Sequence, residues 1–139
     1  MRDNLIMTVS FDHISIGKVY SRNQLAKLWG YKGTEAISRG VVTPQNTNNI
    51  ILFVTKEKKK SATQYRDLIE NNELSWEGPN DHFAEKRMLN SEKSGDKIHL
   101  FYRERYDLDF TYYGTLILLK SQLYSEQPSR FAFKIYNSE

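Results

Sequence analysis

Two stretches of the chain alternate apolar and polar residues with a period of two, the signature of a half-buried strand. Lys97 to Arg105 sets Ile98, Leu100 and Tyr102 on one face and His99, Phe101 and Arg103 on the other. Ser129 to Tyr136 directs Phe131, Phe133 and Ile135 inward. A third stretch differs. In Asn49 to Thr55, Ile50, Leu52 and Val54 are matched by Ile51 and Phe53, so both faces are apolar and the pattern predicts a central strand. Phe110 to Leu119 predicts another strand, with Gly114 marking a bulge or a close backbone approach. Ala36 to Val42, ending at Pro44, and Glu73 to Glu77, closed by Gly78-Pro79-Asn80, read as shorter strands. Phe11 to Ile16 alternates only weakly.

Helical signals are few. Ser21 followed three residues later by Gln24 is a capping box, Leu25 and Leu28 share a face, and Gly30 supplies a stop, so a helix is expected from Arg22 to Trp29. Gln64 to Glu70 suggests a helical turn with Tyr65, Leu68 and Ile69 inward, and Asp81 is placed to cap a short helix through Leu89. Gln45 to Asn49 and Ser94-Gly95-Asp96 read as turns, and Lys56 to Lys60 as a charged loop. Several strands, few helices and no regular β-α alternation predict an α+β fold with a curled, mostly antiparallel, barrel-like sheet. Residues 1–139 read as a single domain, with residues 1–10 a candidate loose segment.

Composition narrows the function classes. At 39% hydrophobic and 27% charged, the 139 residues suit a globular chain rather than a disordered one. No apolar run approaches the ~20 residues of a membrane span, and the N-terminus leads into no signal-peptide core, so no membrane is expected and the cytoplasm is the expected compartment. The absence of cysteine excludes disulfides, thiol nucleophiles and thiolate zinc sites. A net charge of +3 permits an anionic partner without requiring one. Nine Tyr, seven Phe and two Trp can build a core, and can also stack on nucleobases.

Catalytic chemistry finds little support. His13, His82 and His99 have no metal-ligand spacing. Glu57-Lys58-Lys59 matches half of a metal-dependent nuclease site, but Asp12, the one upstream acid available to share the ion, lies far away. There is neither a Gly-x-Ser-x-Gly elbow nor a phosphate-binding glycine loop. Glu77, Asp81 and His82 form a candidate polar pocket for a small RNA-processing or nucleotide hydrolase. No cofactor or metal is implied. Nucleic-acid binding has more behind it. Lys56, Lys58, Lys59 and Lys60 follow a central strand where a loop can rest on phosphates, and Arg103 and Arg105 share a strand face with His99 and Phe101. Trp76, at a strand end, is either a core plug or a stacking platform.

Five segments in order carry a resemblance. They are Gly17-Lys18-Val19-Tyr20-Ser21-Arg22-Asn23-Gln24-Leu25, Ile50-Ile51-Leu52-Phe53-Val54-Thr55-Lys56, Leu74-Ser75-Trp76, Ile98-His99-Leu100-Phe101-Tyr102-Arg103 and Phe110-Thr111-Tyr112-Tyr113-Gly114. Together they resemble the small module fused to bacterial helicase-nuclease restriction proteins, which is similar to SRA and PUA-like domains. The resemblance implies a curled β-barrel of PUA/SRA-like type. It also implies a noncatalytic DNA-binding specificity domain of a restriction system. Its partners would be double-stranded DNA and a nuclease domain or subunit. A modified base, such as 5-methylcytosine, would be flipped into an aromatic pocket. Trp76, Tyr102 and either Tyr112 or Tyr113 are the aromatic candidates, since alternation separates the last two. Glu77 and Asp81 are the carboxylates that could accept from a cytosine amino group. The chain departs from the group at Glu77-Gly78, where a Ser-Gln pair is common. A reader of unmodified DNA in the major groove is the alternative within the same β class.

Overall fold

The computed structural model describes residues 8–58 and 67–136. Eight strands form one sheet: β1 (Val19–Tyr20), β2 (Val41–Val42), β3 (Asn49–Glu57), β4 (Leu68–Glu70), β5 (Glu73–Glu77), β6 (Lys97–Arg105), β7 (Phe110–Gln122) and β8 (Arg130–Tyr136). The strands follow the order β2-β3-β6-β7-β8-β5-β4, with β1 paired to β7. All pairs are antiparallel except β3 with β6, which run parallel with Ile50 opposite Ile98 and Phe53 opposite Phe101. The end strands β2 and β4 do not pair with each other among the described residues, so the sheet is open rather than a closed barrel. It is nonetheless curled: β3 and β5, with β6, β7 and β8 between them, line a common cleft. Two irregularities accompany this curl. Leu100 pairs with Gly114 and Phe101 with Tyr112, leaving Tyr113 as an extra residue, and a second shift falls between Leu118 and Lys120. Bulges of this kind bend a strand and increase its twist.

Each face of the sheet carries its own core. Ile50, Leu52, Val54, Leu74, Ile98, Leu100, Phe131, Phe133 and Ile135 pack together on one face. On the other, Ile51, Phe53, Phe101, Phe110 and Tyr112 are covered by α1 (Arg22–Leu28) through Leu25 and Ala26, and by Trp29. Trp29 donates its indole N–H to the Ser10 carbonyl at 2.9 Å, which satisfies its polar atom while the rings stay dry. Covered faces on both sides explain why β3 is apolar at successive positions.

The expected capping box is present. The Gln24 amide donates to the Ser21 hydroxyl, and Gln24 Oε1 accepts from the Ser21 amide. Gly30, at φ 83°, ends α1 in the left-handed region. Other expectations are corrected. Within Ala36 to Val42 the strand is only Val41–Val42, preceded by a 3-10 turn at Glu35–Ile37. The charged loop begins later than expected, because β3 runs on through Lys56 and Glu57. Leu68 to Glu70 is a strand, not a helical turn. Asn71 and Asn72, both with positive φ (53° and 64°), make the two-residue hairpin to β5 that such dihedrals favour. Leu68 is consequently exposed; Gln64 and Tyr65 lie outside the described residues. Asp81 does not cap a helix: it accepts from the Phe83 amide, and α2 (Glu85–Leu89) starts after Ala84, followed by α3 (Ser91–Ser94). Among the described residues no helix is long and apolar enough to cross a membrane.

Candidate nucleic-acid interface

The curl of the sheet opens a cleft of about 380 Å³ between the ends of β3, β5 and β6 and the segment 38–41. This volume falls in the range of ligand sites, roughly 300–1,000 Å³. Its floor holds Asp67. The carboxylate is 5% exposed, accepts from the Glu77 amide at 2.9 Å, and pairs with Lys58 Nζ at 3.2 Å. Burial pushes the Asp67 carboxyl up, against the pull of the Glu77 amide and Lys58. Trp76 and Glu77 line the same cleft, together with Arg22, Arg39 and Arg103. A buried carboxylate ringed by cations can hold a polar, hydrogen-bonding ligand with an anionic periphery.

Trp76 is 5% exposed and packs at 5.5 Å from Phe131 and 6.1 Å from Phe133, so it is chiefly a core residue that borders the cleft. Glu77 turns its side chain toward Arg130, 3.5 Å away. Tyr102 and Tyr113 form an edge-to-face pair at 5.6 Å, and neither lines the cleft. Burial, then Glu104, pushes the Tyr102 hydroxyl up to about 12. Tyr112 lies on the opposite face of β7, against α1's core. Asp81 is exposed and clamps Arg39 with both oxygens, at 3.0 and 2.9 Å, placing it beside the cleft through a residue that lines it.

Among the cations, Lys58 and Arg103 line the cleft. Lys56 is exposed, 3.8 Å from Glu104, and Arg105 is 3.4 Å from Asp107. Lys59 and Lys60 lie outside the described residues. Glu77, Asp81 and His82 do not converge: His82 Nδ1 lies 2.6 Å from Glu85, while the other two engage arginines. His13 is exposed, and no three metal-ligating side chains cluster among the described residues.

Sequence reasoning missed Asp67, Arg22 and Arg39. Asp67 stands next to Leu68 with no motif around it, and its partners arrive from positions 58 and 77 only through the fold. Arg22 had a signal that went unused, since it follows a helix cap and sits in one of the segments carrying the resemblance.

The fold is that of an SRA-like module. The SRA domain of SUVH5, solved with fully methylated CG DNA, superimposes with a TM-score of 0.60 at 11% identity over 95% of each chain. Its complex with methylated CHH DNA gives 0.60 at 12% identity, covering 98% of this chain and 97% of that one. The DNA modification-dependent restriction endonuclease AspBHI gives 0.56 at 13% identity, covering 88% of this chain and 75% of that one. Residues 14–133 match the family described as a domain of unknown function, DUF3427, and the chain belongs to that family. No curated protein matches the sequence.

Proposed function

We propose that residues 1–139 act as one noncatalytic DNA-recognition domain that reads a modified, cytosine-like base and works with a nuclease of a restriction system. In this reading the base leaves the DNA stack and enters the cleft floored by Asp67. Extrusion costs a few kcal/mol, which the site must return through stacking and hydrogen bonds. The observation that carries the reading is Asp67. A buried carboxylate at the bottom of a cation-lined cleft is matched to an exocyclic amino donor, as acidic side chains are to cytosine elsewhere. Trp76 and Glu77 form one wall. Tyr102 and Tyr113 brace the sheet behind that wall and are assigned a supporting part, while Asp81 holds Arg39 at the rim. Lys56, Lys58, Lys59, Lys60, Arg103 and Arg105 supply cations for the backbone. Support comes from the SRA-like fold, whose structural neighbours include domains solved with methylated DNA and a modification-dependent endonuclease.

The test is a titration of the chain against duplexes carrying unmodified cytosine, 5-methylcytosine, 5-hydroxymethylcytosine or N6-methyladenine. The wild type is expected to prefer a modified-cytosine duplex. Asp67→Asn should reduce that preference by about tenfold or more, since a hydrogen bond to a charged group contributes roughly 1.5–3 kcal/mol. Equal affinity for all four duplexes, or a folded Asp67→Asn with full preference, overturns the reading.

A further inference from the structure

Six arginines fall among the described residues, and four of them meet a carboxylate: Arg39 with Asp81, Arg87 with Asp96, Arg105 with Asp107 and Arg130 with Glu77. The remaining two, Arg22 and Arg103, have no carboxylate within ion-pair distance among the described residues, and both line the Asp67 cleft. They come from elements far apart in sequence, α1 and β6. Both guanidinium groups lie on the ring of Phe110, with Cζ 4.9 Å and 4.2 Å from its centroid, so a single buried ring sets both. Phe53 adds a second aromatic contact to Arg22 at 4.7 Å.

Their hydrogen bonds are as informative as their missing partners. Arg22 Nε–H donates to the Ile37 carbonyl at 2.9 Å, and Arg103 Nε–H donates to the Thr55 hydroxyl at 2.8 Å. Arg103 Nη1 is also held, by the Leu108 carbonyl at 3.0 Å. Both Nη atoms of Arg22 and Nη2 of Arg103 meet no acceptor among the described residues. Two forks are thus gripped by their stems, with terminal donors left over. Burial and the neighbouring Arg103 charge push Arg22 down to about 10, so the pair repels itself and an anion between the two would relieve it. Asp107 and Asp109 attract Arg103 from beyond contact distance and leave its free nitrogen unmatched. Planar guanidinium forks of this kind suit the oxygens of a phosphate.

We propose that Arg22 and Arg103 together bind one DNA phosphodiester, fixing the backbone beside the base that enters the Asp67 cleft. The site rests on the reading of the cleft given above and adds to it a specific phosphate contact. It differs from the exposed Lys56 in being pre-organised: the stacked, stem-bonded side chains lose less freedom on binding than a free chain does.

The experiment is a salt titration of the whole chain with modified and unmodified duplexes, for wild type, Arg22→Gln, Arg103→Gln, these two combined, and Arg103→Lys. Each glutamine substitution should weaken binding to both duplexes alike, with the preference between duplexes retained. Because the two cations share one phosphate, the double variant should flatten the slope of log affinity against log salt by about 0.9, and each single variant by a part of that. Arg103→Lys should keep the slope, because the charge remains. Thermal melting identifies a variant that fails to fold. If Arg22→Gln does so, Arg103→Gln carries the test, backed by the Nε–H resonances of both arginines in the wild type titrated with inorganic phosphate. A folded Arg103→Gln with unchanged affinity, or resonances that phosphate leaves unmoved, overturns the proposal. A wild type without base preference whose slope still falls in the glutamine variants leaves the phosphate site standing and removes only the base-reading function.

Discussion

His99 lies on a strand face that sequence reasoning assigned to DNA, yet it is 4% exposed. Asn49 Oδ1 accepts from its Nε2–H at 2.9 Å, so Nδ1 is the bare nitrogen that accepts from the Tyr112 hydroxyl at 2.8 Å. Phe11 stacks on the ring with centroids 3.5 Å apart. Burial, then Lys97, pulls the imidazole down to about 3 from its ordinary 6.5. Below pH 6.5 the unfolded chain takes up a proton that the folded chain refuses. The stability His99 contributes is therefore full above 6.5 and drains away as pH falls toward 3. Urea unfolding between pH 7 and 4.5, above the ordinary range of the carboxylates at ~4, should show stability declining with pH, and His99→Gln should flatten that decline. A profile that His99→Gln leaves unchanged would contradict the buried neutral imidazole, since Asp67, raised by burial, works in the opposite direction in both proteins. At this scale composition could not help. Histidine is as compatible with a surface strand as with a core, and only Asn49, fifty residues away, reveals which. The same holds for Trp76, whose burial depends on Phe131 and Phe133 arriving from β8.

Elements were legible where their own residues determine them. β6 spans Lys97 to Arg105 as its alternation predicts, and α1 begins at a reciprocal cap contained within four residues. β4 was not legible, because three residues are too few for a period. Its hairpin depends on Asn71 and Asn72 taking positive φ, a signal weaker than Asn-Gly. β7 shows the most consequential local feature. Gly114 takes φ 99°, outside the range of ordinary L residues, and there β7 gains the extra residue that switches its even-numbered positions between faces, so that Tyr112 packs in the core under α1 and Leu116 in the core on the other side. Gly114→Ala is expected to cost about 1–3 kcal/mol, the usual penalty for a residue held in a sparsely populated backbone region. Chemical denaturation would measure it. A loss below about 0.5 kcal/mol would mean that the bulge relaxes at no cost.

At the scale of the molecule, alternation and apolar runs disclosed most strands but not the order in which they pair. The cleft is a product of that order: Thr55, Asp67, Glu77 and Arg103 meet because β3 and β5 approach across a curled sheet. Pairwise signals at such separations are absent from a single sequence, which is why the basic strand face was visible beforehand and the acidic floor was not.

The parallel pairing of β3 with β6 reaches beyond the folded state. Ile50 emerges from the ribosome well before Ile98, its partner, and synthesis at about 5–20 residues per second leaves β3 waiting for seconds. During that wait a strand apolar on both faces is a template for pairing between molecules. Lys56, the penultimate residue of β3, and Lys58, just beyond it, put charge at the end of that strand, which suits them as guards against such pairing, a use separate from any contact with DNA. Lys56 suits a test, because its ion-pair partner among the described residues, Glu104, is 3.8 Å away and both side chains are solvated. Lys56→Val should leave equilibrium stability within about 0.5 kcal/mol, as surface substitutions do, yet lower the soluble yield on rapid dilution from denaturant. Undiminished recovery at high protein concentration would show that the nascent strand needs no such guard.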